Sequence, residues 1–62
     1  MKPKYVVLNE DGEFLVKYDK INAEFTTNYC RANVMEHSEA EEAVQHGTNL
    51  GAVWSITEIK DG

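Results

Sequence analysis

Residues 4–18, "KYVVLNEDGEFLVKY", read as two short apolar runs parted by a polar turn. Tyr5, Val6, Val7 and Leu8 form the first run, of the aromatic and β-branched kind that fits a pleated surface. Asn9, Glu10, Asp11 and Gly12 are turn formers, with Gly12 suited to a left-handed position. Phe14, Leu15, Val16 and Tyr18 make the return run, so the pattern predicts a β-hairpin. Pro3 precedes the first strand, where its missing N–H costs nothing. Simple alternation puts Tyr5 and Val7 on one face and Val6 and Leu8 on the other. It also puts Phe14, Val16 and Tyr18 together, opposite Leu15 and Lys17. A sheet with one wet face alternates more cleanly, so both faces of this hairpin are expected to be covered.

Farther along, "DKINA" is a polar connection with Ile21 as its expected anchor, and Phe25 enters the core. Thr26, Thr27 and Asn28 are capping types. They precede "NYCRA", one short helical turn, which Asn33 is expected to end in a left-handed conformation. Val34 and Met35 suggest a brief extended segment. "SEAEEAVQHG" predicts a helix with Ser38 as N-cap and Glu41 completing a capping box. Ala40, Ala43 and Val44 form its buried stripe, and Gly47 is the expected residue just past its end. "GAVWSITEI" is the last strand, with Trp54 and Ile56 toward the helix. The order is strand, strand, turn, a short third strand, helix, strand. This predicts an α+β fold in which an antiparallel sheet of three to four strands carries one helix across one face. Trp54, Phe14, Val7 and Val44 are the expected core.

Length changes the picture by making stability a problem. A chain of 62 residues is one domain, residues 1–62, and a domain so small buries only ~60% of its unfolded surface. One Cys forms no internal disulfide, so self-association is the expected staple. Val6, Leu8 and Leu15, on the face a single helix leaves open, are the expected homodimer interface.

Charge narrows the partners. Eleven acidic residues against six basic give a net charge of −5, which repels phosphate and disfavours direct nucleic-acid binding. No apolar run approaches the ~20 residues of a membrane span, and the four apolar residues after "MKPK" fall short of a signal peptide's ~7–15. The chain is therefore expected in the cytoplasm, with Cys30 reduced.

Cys30, His37 and His46 are the residues with metal-binding or nucleophilic chemistry, spaced Cys-x6-His-x8-His. Zinc ligands come in closer pairs and usually number four, and a Cys–His nucleophile needs a cleft and an oxyanion hole besides. The reading is no metal, no cofactor and no enzyme, with His46 serving the negative end of the helix dipole. Glu36, Glu39, Glu41 and Glu42 form the densest charge cluster, extended by Glu10, Asp11 and Glu13 of the hairpin turn; these seven are the candidate partner-binding residues.

The layout "YVVLNEDGEFL … FTTNYCRANVMEHSEAEEAV … WSITEI" resembles short accessory proteins of bacteriophages and prophages. The shared features are a hairpin with a Gly turn, an "FTTN" corner, an "EA" helix and a final strand. The resemblance assigns no catalytic or ligand residue. It implies a small acidic protein that binds and disables a host protein, including defence enzymes, in the host cytoplasm. Two further readings stay open: an acidic nucleic-acid mimic, and a dimeric transcriptional or nucleic-acid accessory protein.

Overall fold

A computed structural model describes residues 3–59. The predicted hairpin is present: β1, Lys4–Leu8, returns as β2, Phe14–Tyr18. Its turn is built on Asn9. The Gly12 N–H donates to the Asn9 carbonyl (3.1 Å) and the Asn9 N–H to the Glu13 carbonyl (3.0 Å), with Gly12 at φ +80°. The Asn9 side chain adds to this closure. Its Oδ1 accepts from the N–H groups of Asp11 (3.0 Å) and Glu13 (2.9 Å), while Nδ2 donates to Glu13 Oε1 (3.0 Å).

The third strand lies earlier than the pattern suggested. β3, Ala23–Thr26, pairs with β2 through a turn in which Asp19 Oδ1 accepts from the N–H groups of Ile21 (3.0 Å) and Asn22 (2.8 Å). Ile21 is 78% exposed there and anchors nothing. A single 3-10 turn, Tyr29–Arg31, follows, capped by Asn28, whose Oδ1 accepts from the Cys30 N–H (3.0 Å). It ends in extended backbone at Ala32; Asn33 is not left-handed, since only Gly12 and Gly51 have positive φ among the described residues. The helix α1, His37–Asn49, and β4, Ser55–Ile59, complete the chain, and the sheet order is β3-β2-β1-β4, antiparallel throughout. Among the described residues the fold is α+β, with four strands and one α-helix.

Residues 33–35 take an unexpected place. β1 and β2 are in register only at Leu8 and Phe14. Beyond that pair the Asn33 N–H donates to the Leu15 carbonyl (3.0 Å), and Tyr5 and Met35 exchange both backbone hydrogen bonds (2.9 Å each). The segment expected as a strand is thus a wedge bonded to both arms of the hairpin, and it carries Met35 into the core.

β2 carries an extra residue between Leu15 and Lys17, a β-bulge that reverses the expected faces. Leu15 and Tyr18 both face the helix, while Lys17 faces away and meets Glu24 at 3.8 Å. The core joins Val7, Leu15, Met35, Ala40, Ala43 and Trp54, with Val44 and Ile56 packed against it. Phe14 is not in this core; its ring meets Tyr29 edge-on (5.5 Å) on the opposite face. The proposed dimer surface changes accordingly. Leu15 is fully buried and Val6 is 1% exposed within one chain, so of the three expected interface residues only Leu8 keeps accessible surface.

The helix is bounded differently from the expectation. Its N-cap is Glu36, without a side-chain bond, and Ser38 lies inside the first turn. The pairing of Met35 with Tyr5 fixes extended backbone up to Glu36, so the helix starts at once and the capping box around Ser38 goes unused. At the far end Gly51, at φ +82°, takes the left-handed position expected of Gly47. The Gly51 N–H donates to Thr48 (3.0 Å) and the Ala52 N–H to Gly47 (2.8 Å), which is the paired closure of a Schellman motif.

Candidate functional site

The acidic residues separate into two groups. β1 runs beside α1 in such a way that Pro3 and Tyr5 line one shallow cavity with Glu36, His37 and Ser38. The hairpin turn lines another with Ala52, Val53 and Trp54. Glu36 and Glu39 therefore stand at one end of the domain, and Glu10 and Asp11 at the other. Glu41 and Glu42 follow on the exposed side of α1, and Glu13 is tied to Asn9. The seven carboxylates do not make one surface.

Cys30, His37 and His46 are not brought together either. Cys30 is exposed on the 3-10 turn. His37 opens α1, where Nδ1 lies 2.9 Å from Glu41 Oε1 and the ring meets Tyr5 edge-on at 4.9 Å. His46 is nine residues farther along α1, roughly 13 Å at ~1.5 Å per residue. Among the described residues no group of three or more His, Cys, Asp or Glu is placed to hold a metal ion.

Chemistry concentrates instead around Trp54, where α1 ends and β4 begins. Gly47 presents bare backbone to the indole: a methyl group built there would lie 2.6 Å from Cε3 and 2.9 Å from Cε2. Phe25 packs against the same indole in a T-shaped contact (5.4 Å). Tyr18 and His46 lie against each other (4.8 Å) at 6.2 and 6.4 Å from Trp54. Among the described residues the buried His46 Nε2 has no hydrogen-bond partner, and its ring is held by aromatic contact.

This aromatic group reaches the surface beside exposed apolar residues. Leu50, the helix C-cap, is half-exposed, and Val53 is 66% exposed. Between Val53, Trp54 and Phe25 on one side and Asn9, Glu10 and Asp11 on the other is an open notch of about 240 Å³. Among the described residues the ion pairs are Lys17–Glu24 and His37–Glu41, so Glu10 and Asp11 face the notch without a cationic partner there. Asp19 stands on the far side of the aromatic group, its carboxyl held below the ordinary range by the Ile21 and then the Asn22 N–H.

The sequence reading placed Glu10 and Asp11 among the candidates but missed Phe25, Val53 and Trp54 as their neighbours. One signal was available: if Trp54 turns inward, alternation turns Val53 out, leaving a large apolar side chain unaccounted for. Among the described residues no helix is long and apolar enough to cross a membrane. No family model matches the chain, and neither does any curated protein or solved structure.

Proposed function

We propose that this chain is a small acidic binding module that acts on another protein by occupying a basic surface, in the manner of phage-encoded inhibitors of host proteins. The observation that carries the reading is the end of the domain around Trp54. There, exposed Leu50 and Val53 adjoin an aromatic cluster flanked by Glu10, Asp11 and Asp19. An apolar centre with a charged rim is the anatomy of a protein–protein contact, and a carboxylate rim on a chain of net charge −5 selects a basic partner and speeds its approach.

Nucleic-acid mimicry is the weaker reading, because it asks for one continuous carboxylate array and these carboxylates occupy opposite ends. The accessory-dimer reading loses support with the burial of Val6 and Leu15 inside one chain.

The test is capture from bacterial lysate by the tagged chain, followed by titration of each captured protein in purified form. A saturable complex that weakens with salt and is abolished by Glu10→Lys with Asp11→Lys supports the reading. Captured proteins that form no saturable complex, or bind the reversed variant equally well, would discard it.

A further inference from the structure

We infer that the free edge of β4 is a docking site for an extended segment of a protein partner, which joins the sheet there as a fifth strand. This surface runs along β4 and is separate from the Trp54 end, so the inference goes beyond the reading above and does not depend on it.

The backbone directions follow from the hydrogen bonds of β1. Tyr5 exchanges both of its bonds with Met35, and the Asn9 N–H donates to Glu13. Such directions alternate along an antiparallel strand, so Tyr5, Val7 and Asn9 point toward the β2 side and Lys4, Val6 and Leu8 toward β4. Lys4, Val6 and Leu8 stand opposite Ile59, Thr57 and Ser55, whose backbone groups are therefore used on β1. Ile56 and Glu58 are left with N–H and C=O directed outward. β4 ends the sheet order, so among the described residues no strand meets them.

Sheets guard such edges with bulges, lysine, proline or very short strands. β3, at the opposite edge, carries these marks: it has four residues, a bulged neighbour and Glu24 beside Lys17. Ser55–Ile59 holds no Lys, Pro or Gly and matches β1 over successive pairs without a shift.

Side chains define the occupant. Ile56 opposes Val7 of the core, and Glu58 opposes Tyr5, whose ring meets His37, so both lie on the helix face. There α1 packs over β1 and β4. Its His46 flank faces Tyr18 of β2, and Val44, about 160° farther round the helix, is on the flank toward β4. Val44 and Ile56 are only partly buried and leave an apolar step beside the edge. Glu58 is exposed, without a cationic partner within 4 Å among the described residues. An antiparallel segment answers both with an apolar residue opposite Ile56 and, two positions before it, a Lys or Arg opposite Glu58. A second copy of the chain, paired symmetrically about Thr57, sets Ile56 against Glu58 twice and answers neither.

The probe is the capped peptide acetyl-Thr-Lys-Thr-Val-Thr-amide, titrated into the full chain and followed by backbone amide shifts. Binding should saturate at millimolar concentration and shift the amides of Ile56 and Glu58 most. Two N-methylated peptides read the ladder. Methylation at the Val nitrogen, whose N–H points at β4, should weaken binding by about tenfold or more. Methylation at the central Thr, whose N–H points away, should change it by less than about twofold. Glu58→Lys should weaken the parent peptide about two- to fivefold, and Glu10→Gln with Asp11→Asn should leave it as it was. No saturable binding, equal loss from both methylations, or shifts centred on β3 would overturn the inference. So would a dimer of the peptide-free chain joined through the same amides, because a second copy would then hold the edge.

Discussion

Replacing Gly47 by alanine sets two effects of similar size against each other. Gly47 lies inside α1 and its φ is not positive, so alanine suits the backbone and should stabilise the helix by about 1 kcal/mol. The new methyl group, however, meets the indole of Trp54. With Cδ2 the nearest indole atom and Cε3 at 2.6 Å, the ring would have to retreat by about 1 Å to regain ordinary contact. The indole is also in T-shaped contact with Phe25 of β3 and Tyr18 of β2, which leaves it little freedom to shift. Overpacking of a closed site costs about 1–3 kcal/mol, so the net expectation is a loss of roughly 0–2 kcal/mol where helix propensity alone forecasts a gain. In a domain of this size each 1 kcal/mol moves the melting temperature by about 4–8 °C. Thermal melting followed by far-ultraviolet circular dichroism reads the difference directly. A double-mutant cycle with Trp54→Phe supplies the control, because the smaller ring leaves room for the methyl group and Gly47→Ala should then raise the melting temperature. Gly47→Ala melting above the parent with Trp54 intact would refute the seating of the indole on bare helix backbone.

Three further outcomes are expected. Ser38→Ala should change stability by less than about 0.5 kcal/mol, since Ser38 caps nothing, whereas Glu36→Ser, which puts a capping hydroxyl at the true N-cap, should add about 0.5–1 kcal/mol; urea denaturation of both variants checks the pair. The Asp19 carboxyl is depressed below its ordinary 3.8 by the Ile21 and Asn22 N–H groups, so its contribution to stability is present above pH 3.8 and lost as pH falls from there through the lowered value; Asp19→Asn should flatten the acid limb of the stability profile over that window. Light scattering across a dilution series should return a 7.0 kDa monomer, because Val6 and Leu15 are already withdrawn from solvent inside one chain; a concentration-dependent mass would overturn that expectation.

Features set by near neighbours were legible in the sequence. The β1–β2 hairpin, the Ala40–Ala43 stripe and the inward Trp54 and Ile56 all follow from periodicity and turn chemistry over a few residues. Departures occurred where a distant contact decides. Gly47 and Gly51 stand one helical turn apart, and either suits a C′ position; the bulk of Trp54 assigns the first to packing and leaves the second to end the helix. Ser38 and Glu41 spell a capping box, but the pairing of Met35 with Tyr5 starts the helix ahead of it. The bulge at Val16 moves Tyr18 to the helix face, and no turn residue announces it. Ala23 and Phe25 alternate as a strand should, but the capping types at Thr26–Asn28 directly after them fit a polar corner equally well. The candidate site was half legible: its carboxylates could be named, but their division between two ends depends on the direction of β1 past α1.

The wedge at residues 33–35 governs the order in which this chain can fold. A hairpin with a short turn is ordinarily a local event, closing in about 1–10 μs without help from the rest of the protein. Here only the turn end of the first hairpin closes on itself. The Tyr5 N–H and carbonyl and the Leu15 carbonyl find their partners on Met35 and Asn33, on the far side of β3 and the 3-10 turn. That intervening stretch must loop back before β1 and β2 are joined along their length. A fragment of residues 3–18 should therefore stay open in water, and the amides of Tyr5, Asn33 and Met35 should exchange with solvent together, in a single opening that separates both arms at once.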